Sequence, residues 1–203
     1  MNPSQIVDLV RASDAFGQFT HTHPDAYLVH VFGMTEGIGS VGSSASVSGD
    51  DEERGLLTGM QVGFYLPGID RVVTFAISDR DRCVSASEPA EVFKKTRDPV
   101  PLLLLDDVQV SLDDALSIAR KAQAEHYSAH RMSKLIVLLQ QSQDDPAAPS
   151  PPSSVSSSPA RRPVYNLTAI TSTFNTIVLR IDAANGALLQ HQLLTLRDLT
   201  SQA

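Results

Sequence analysis

Along the chain, apolar and polar positions alternate in two rhythms. From Ser4 to Phe16 the apolar residues Ile6, Val7, Leu9 and Val10 recur at helical spacing, which predicts a helix with one buried face. Ala26 to Met34 then shows the dense apolar pattern of a strand. Two more strands are expected at Gly59–Leu66 and Arg71–Ser78, with a third candidate at Arg82–Ser87. The second half runs through the same order. Ser111 is placed to cap a helix, with Asp114 three residues on as its acidic partner. Leu112, Ala115, Leu116, Ala119 and Ala122 form that helix's apolar face. Strands are expected at Lys134–Gln140, Val164–Thr171, Thr176–Asp182 and Ala187–Leu196.

The halves can be laid on one another. Arg71–Ser78 matches Asn175–Asp182, and the turn Asp79–Arg82 matches Ala183–Gly186. In each half a segment rich in small and polar residues falls between the first and second strands, at 37–55 and 142–163. Neither segment carries enough apolar surface to offset its ordering entropy. The first is read as a flexible hairpin loop and the second as disordered. Their serines are also candidate phosphorylation sites for a regulatory module. The expected fold class is α+β: two helix-plus-antiparallel-meander repeats packed as one unit with long flexible loops, the first spanning 1–98 and the second 99–203. Each repeat has one apolar sheet face for its helix to cover.

Asn185-Gly186 is a hairpin signal, because a type I′ turn needs positive φ at both central residues. The string Ile177-Val178-Leu179-Arg180-Ile181-Asp182-Ala183-Ala184-Asn185-Gly186-Ala187-Leu188-Leu189 resembles the end of a PepSY-like domain. There a strand closes on an Asp-Ala-x-x-Gly turn and a second strand returns. The alanine-rich helix from Leu112-Asp113-Asp114-Ala115 to Ala124 resembles that family's opening helix. The resemblance covers Ser111 to Leu196, with the first half as a degenerate second copy. It implies the fold and a non-catalytic binding module. The chain departs from the family pattern in lacking tryptophan and in carrying long insertions.

Composition adds mainly exclusions. The net charge is −7 and no stripe of Lys and Arg occurs, which argues against nucleic-acid binding. No apolar run approaches the ~20 residues of a membrane-spanning helix. Cys83 is the single cysteine, so neither an intramolecular disulfide nor a multi-cysteine zinc site can form. The N-terminus lacks a basic region followed by an apolar stretch, and the expected compartment is the cytoplasm.

Candidate chemistry is sparse. His21 and His23 form an H-x-H pair. His126 and His130 are four residues apart and would share one face of a helix; with the first pair they make a four-histidine candidate for zinc or another divalent metal. That is the alternative reading, a metal-binding protein or metal-dependent hydrolase. His30 is read as a sheet histidine and Cys83 as a half-buried strand residue. Asp106-Asp107 and Asp113-Asp114 have structural explanations, the latter at a helix N-terminus. Gly37-Ile38-Gly39-Ser40-Val41-Gly42 has G-x-G-x-x-G spacing but no following helix, so it is not read as a nucleotide loop. Asn166, Thr168 and Ile170 would share one sheet face, polar but uncharged, with Tyr165 and Phe174 nearby as a binding surface. The favoured reading is a non-enzymatic protein-binding or regulatory module without a cofactor, acting on a protein partner or as a homodimer.

Overall fold

The computed structural model describes residues 1–36, 57–92, 98–142 and 162–195. The glycine-rich motif and nearly all of both inserted segments lie outside them. The first helical segment is two helices, α1 (Pro3–Arg11) and α2 (Asp14–Thr22), where one had been expected. The break sits at Ser13. Its Oγ donates to the Val10 carbonyl at 2.6 Å and accepts from the Phe16 amide at 3.3 Å, closing one helix while opening the next. The third helix, α3 (Leu112–His126), starts as expected: Ser111 Oγ accepts from the Asp114 amide and donates to its carboxylate.

The strands are β1 (Tyr27–Glu36), β2 (Thr58–Leu66), β3 (Arg71–Ile77), β4 (Val84–Ala86), β5 (Ala90–Glu91), β6 (Met132–Gln141), β7 (Pro163–Thr171), β8 (Thr176–Asp182) and β9 (Leu188–Leu194). They form one open antiparallel sheet in the order β4-β3-β2-β1-β6-β7-β8-β9, with β5 also on β3. The fold is α+β. Each half is a meander that grows outward from its own first strand. The halves join where β1 meets β6 antiparallel, from His30↔Gln140 to Glu36↔Lys134. One sheet therefore runs through both repeats.

The matched turns are built alike. In the second, the Gly186 amide donates to the Asp182 carbonyl at 2.8 Å and the Asp182 amide to the Ala187 carbonyl at 2.9 Å. In the first, Arg82 donates to Ser78 at 3.0 Å and Ser78 to Cys83 at 2.9 Å. Both turns end on a left-handed residue, Arg82 at φ 56° and Gly186 at φ 78°. This corrects the expected type I′ geometry. Asn185 does not have positive φ; a five-residue turn closes on Gly186 alone, and the extra residues appear as a register shift between Arg180 and Ile181.

The three described α-helices cover the same sheet face. Ile6, Val7, Val10, Phe19, Leu112, Ala115, Leu116 and Ala119 join the inward residues of the central strands in one buried cluster. The α2 contribution is aromatic: Phe16 and Phe19 meet Phe64 and Phe75 at centroid separations from 4.9 to 6.0 Å.

On the opposite face no described helix packs. There Val29, Tyr65 and Val72 form a small separate cluster, and His30 lies over Gly63. A Cβ on Gly63 would fall 2.1 Å from the imidazole, so only glycine allows the ring to lie there. Burial pushes the His30 pKa down to about 4 from 6.5. The native state thus holds it neutral while the unfolded chain takes up the proton. Its contribution is present above pH 6.5 and is lost as pH falls from 6.5 towards 4, by about 3 kcal/mol. Urea melts at pH 7 and pH 4.5 test this against His30→Phe, which keeps a ring over Gly63 but cannot titrate. The variant's stability should fall less between the two pH values; parallel losses would refute the assignment.

Candidate functional site

The histidines are not gathered into one cluster. His21 lies in the last turn of α2, and His23 caps that helix with its ring 5.3 Å from Phe19. His126 is the last residue of α3, and Tyr127 already leaves helical geometry. The shared helical face expected for His126 and His130 therefore does not form. His130 sits in the following turn, its Nδ1 3.3 Å from Asn175 Nδ2. Gln123 Nε2 holds this turn by donating to the Tyr127 and His130 carbonyls, both at 3.0 Å. Among the described residues no group of three or more His, Cys, Asp or Glu side chains is placed to hold a metal.

His126 finds a different partner. Its ring stacks on His191 of β9, 4.2 Å between centroids and 9° from parallel. Tyr127 Oη is hydrogen-bonded to His191 Nδ1 at 2.9 Å. The end of α3 is thus latched to the outermost strand. His191 was missed in the sequence because its role depends on register. Pairing opposite Leu179 turns it to the helix side of the sheet, beside the end of α3.

The other candidates resolve structurally. Cys83 is exposed in the turn before β4, not half-buried on a strand. Its amide donates to Asp81 Oδ1 at 3.1 Å, and the same carboxylate pushes the thiol pKa up, against thiolate formation. Asp106 and Asp107 lie in a 3₁₀ turn, and Asp113 and Asp114 in the first turn of α3. Tyr165 belongs to the core: it is fully buried and its Oη donates to the Val110 carbonyl at 2.6 Å.

Two surfaces remain. The sheet face that no described helix covers carries Asn166, Thr168 and Ile170 half-buried, as their alternation predicts. Phe32, Met34, Ile136, Leu138 and Val178 make it more apolar than expected, and Arg180, paired with Asn166, gives it a charge. The second surface is the sheet's edge, where the two ends differ. Among the described residues, the outer positions at the β3 end hold only β4, three residues, and β5, two residues. Arg80, Asp81, Arg82, Glu88, Pro89 and Glu91 surround them. Short strands, charges and proline blunt an edge against further pairing. At the other end β9 runs for seven residues without a charged residue or proline, exposed from Leu189 to Gln192. Among the described strands only β8 pairs with it.

No protein-family model matches the chain, and no curated protein does. The PepSY-like resemblance rests on the residues that carried it. Among solved structures, the crystal structure of a putative lipoprotein from Clostridium difficile 630 overlays with a TM-score of 0.46 and 13% identity, covering 89% of this chain and 90% of that one. A likeness of this size carries no argument about function.

Proposed function

We propose that this chain is a non-enzymatic protein-binding module whose recognition element is the outer edge of β9. The observation supporting this reading is the contrast between the sheet's two ends. Seven uncharged, proline-free residues border one end, and two short strands among charges border the other. An open edge of that length presents backbone donors and acceptors to an incoming extended segment, and the exposed side chains beside them select it. The latch of His126 and Tyr127 on His191 supports the reading further, because it holds β9 against the body of the protein before any partner arrives.

The test is site-specific photocrosslinking in cells. A photoreactive side chain at position 192 should give discrete protein adducts, and one at position 85 in β4 should not. Lysines at positions 190 and 189 should remove the adducts, since lysine on an edge disfavours strand addition. Equal adducts from positions 85 and 192, or none from 192, would overturn the proposal.

A further inference from the structure

We infer that the strand added to β9 is β9 of a second copy, which makes the protein a twofold dimer with one continuous sheet. The inference rests on β9 being the recognition edge and names its partner.

The support lies in the order of residues on that strand. Leu188-Leu189-Gln190-His191-Gln192-Leu193-Leu194 reads the same in both directions. Two antiparallel strands related by a twofold axis at their middle residue place residue i opposite its mirror position. For β9 an axis at His191 sets Gln190 opposite Gln192 of the second copy and His191 opposite itself; the strand bulges at Leu189, so the register is fixed by these central residues with the leucines flanking them. The central pairs are then like with like: amide with amide, imidazole with imidazole. Amide side chains set opposite each other can hydrogen-bond across the strands, and a register slip by one residue would set leucine against glutamine. An interface around a twofold axis must be self-complementary, and this strand meets that condition in its sequence.

The chain already uses the same operation once. Its two halves join by antiparallel pairing of equivalent strands, β1 and β6, with Gly33 opposite Val137 at the middle of the ladder. The blunted edge at β4 and β5 leaves β9 as the end where such a join can be repeated. A perpendicular axis keeps all helices of the dimer on one side. It also brings together the two latches at the ends of the α3 helices.

The register makes a strict prediction, because position 190 faces position 192 and not itself. Both residues are exposed, so charges there should leave the fold intact, which circular dichroism melts of each variant check. The full chain should sediment as a dimer at about 100 µM. The double variant Gln190→Lys, Gln192→Lys sets lysine opposite lysine and should weaken dimerisation at least tenfold. Gln190→Glu with Gln192→Glu should do the same. Mixing these two variants should restore a dimer containing one of each. The variant Gln190→Glu, Gln192→Lys sets opposite charges across both contacts and should dimerise at least as well as the unaltered chain. A monomer at this concentration overturns the inference. So does a dimer indifferent to these charges, or loss of dimer in the Glu/Lys variant, which would mean that 190 faces 190. Photocrosslinking from position 192 separates the two proposals. Adducts only to another polypeptide, with the purified chain monomeric, leave β9 as the recognition edge and remove self-pairing. A monomeric chain with no adducts removes both.

Discussion

Replacing Phe75 by alanine is expected to cost about 3–5 kcal/mol, the largest loss from any single change considered. Phe75 is fully buried. Its ring meets Phe64 at 5.6 Å and 88°, Phe19 at 5.2 Å and 79°, and Phe16 at 5.5 Å and 64°. These edge-on arrangements set the positive rim of one ring against the negative face of another. They are also the chief aromatic tie between α2 and the sheet, because Phe16 and Phe19 are α2's contribution. Truncation leaves a cavity that rigid rings on three sides cannot close. Since whole domains are stable by only about 5–15 kcal/mol, the loss would be a large share of the total. Phe75→Leu retains most of the volume and should cost about 1–2 kcal/mol. Equilibrium urea denaturation of both variants measures this. A loss below about 1 kcal/mol for Phe75→Ala would mean that the four-ring cluster does not anchor α2.

Asp182→Ala should cost about 2–3 kcal/mol, which is unusual for a residue in a turn. Asp182 is 4% exposed. Its Oδ1 accepts from the Ala184 amide at 2.9 Å, and its Oδ2 from Arg162 Nη1 at 3.3 Å. The Arg162 side chain is half exposed, so the ion pair is screened and contributes the smaller part. The turn also docks distant chain. The Ala183 carbonyl accepts the Gln109 and Val110 amides, both at 2.9 Å, while the Ala183 amide donates to Pro163 at 3.0 Å. Removing the carboxylate unsettles the approach to α3 and the start of β7 together. Asp182→Asn keeps an acceptor for Ala184 and should cost about 1 kcal/mol. If Ala and Asn prove equally costly, the charge matters and the turn geometry does not.

Both residues show where the sequence was legible. The match of Asp79–Arg82 to Ala183–Gly186 placed two turns on each other without knowledge of their geometry, and both close by the same hydrogen bonds. Backbone closure depends on local conformation, which short-range sequence constrains. The long-range partners of Ala183 could not be read, because Gln109 and Pro163 meet it only in the folded chain. The break at Ser13 was overlooked for a related reason. Helical periodicity runs across it, and only the placement of Phe16 and Phe19 over Phe64 and Phe75 makes use of a second helix axis.

The candidate site divides along the same line. A metal site from four histidines was a proposal about convergence, and spacing alone cannot establish convergence. His126 and His130 lost their shared face when α3 ended one residue before Tyr127. His191, with no neighbour in the sequence to mark it, became the partner of His126 through the register of β9 on β8.

By itself the sequence determined the α+β class, most strand positions and the cap of α3, because periodicity, capping and turn chemistry act over a few residues. Tertiary structure alone decided that β1 and β6 join the two halves, that the described helices lie on one face, and that one sheet edge is blunted while β9, among the described strands, pairs only with β8. Those outcomes depend on which strands lie next to each other, a choice made by the burial of whole faces and by no local pattern.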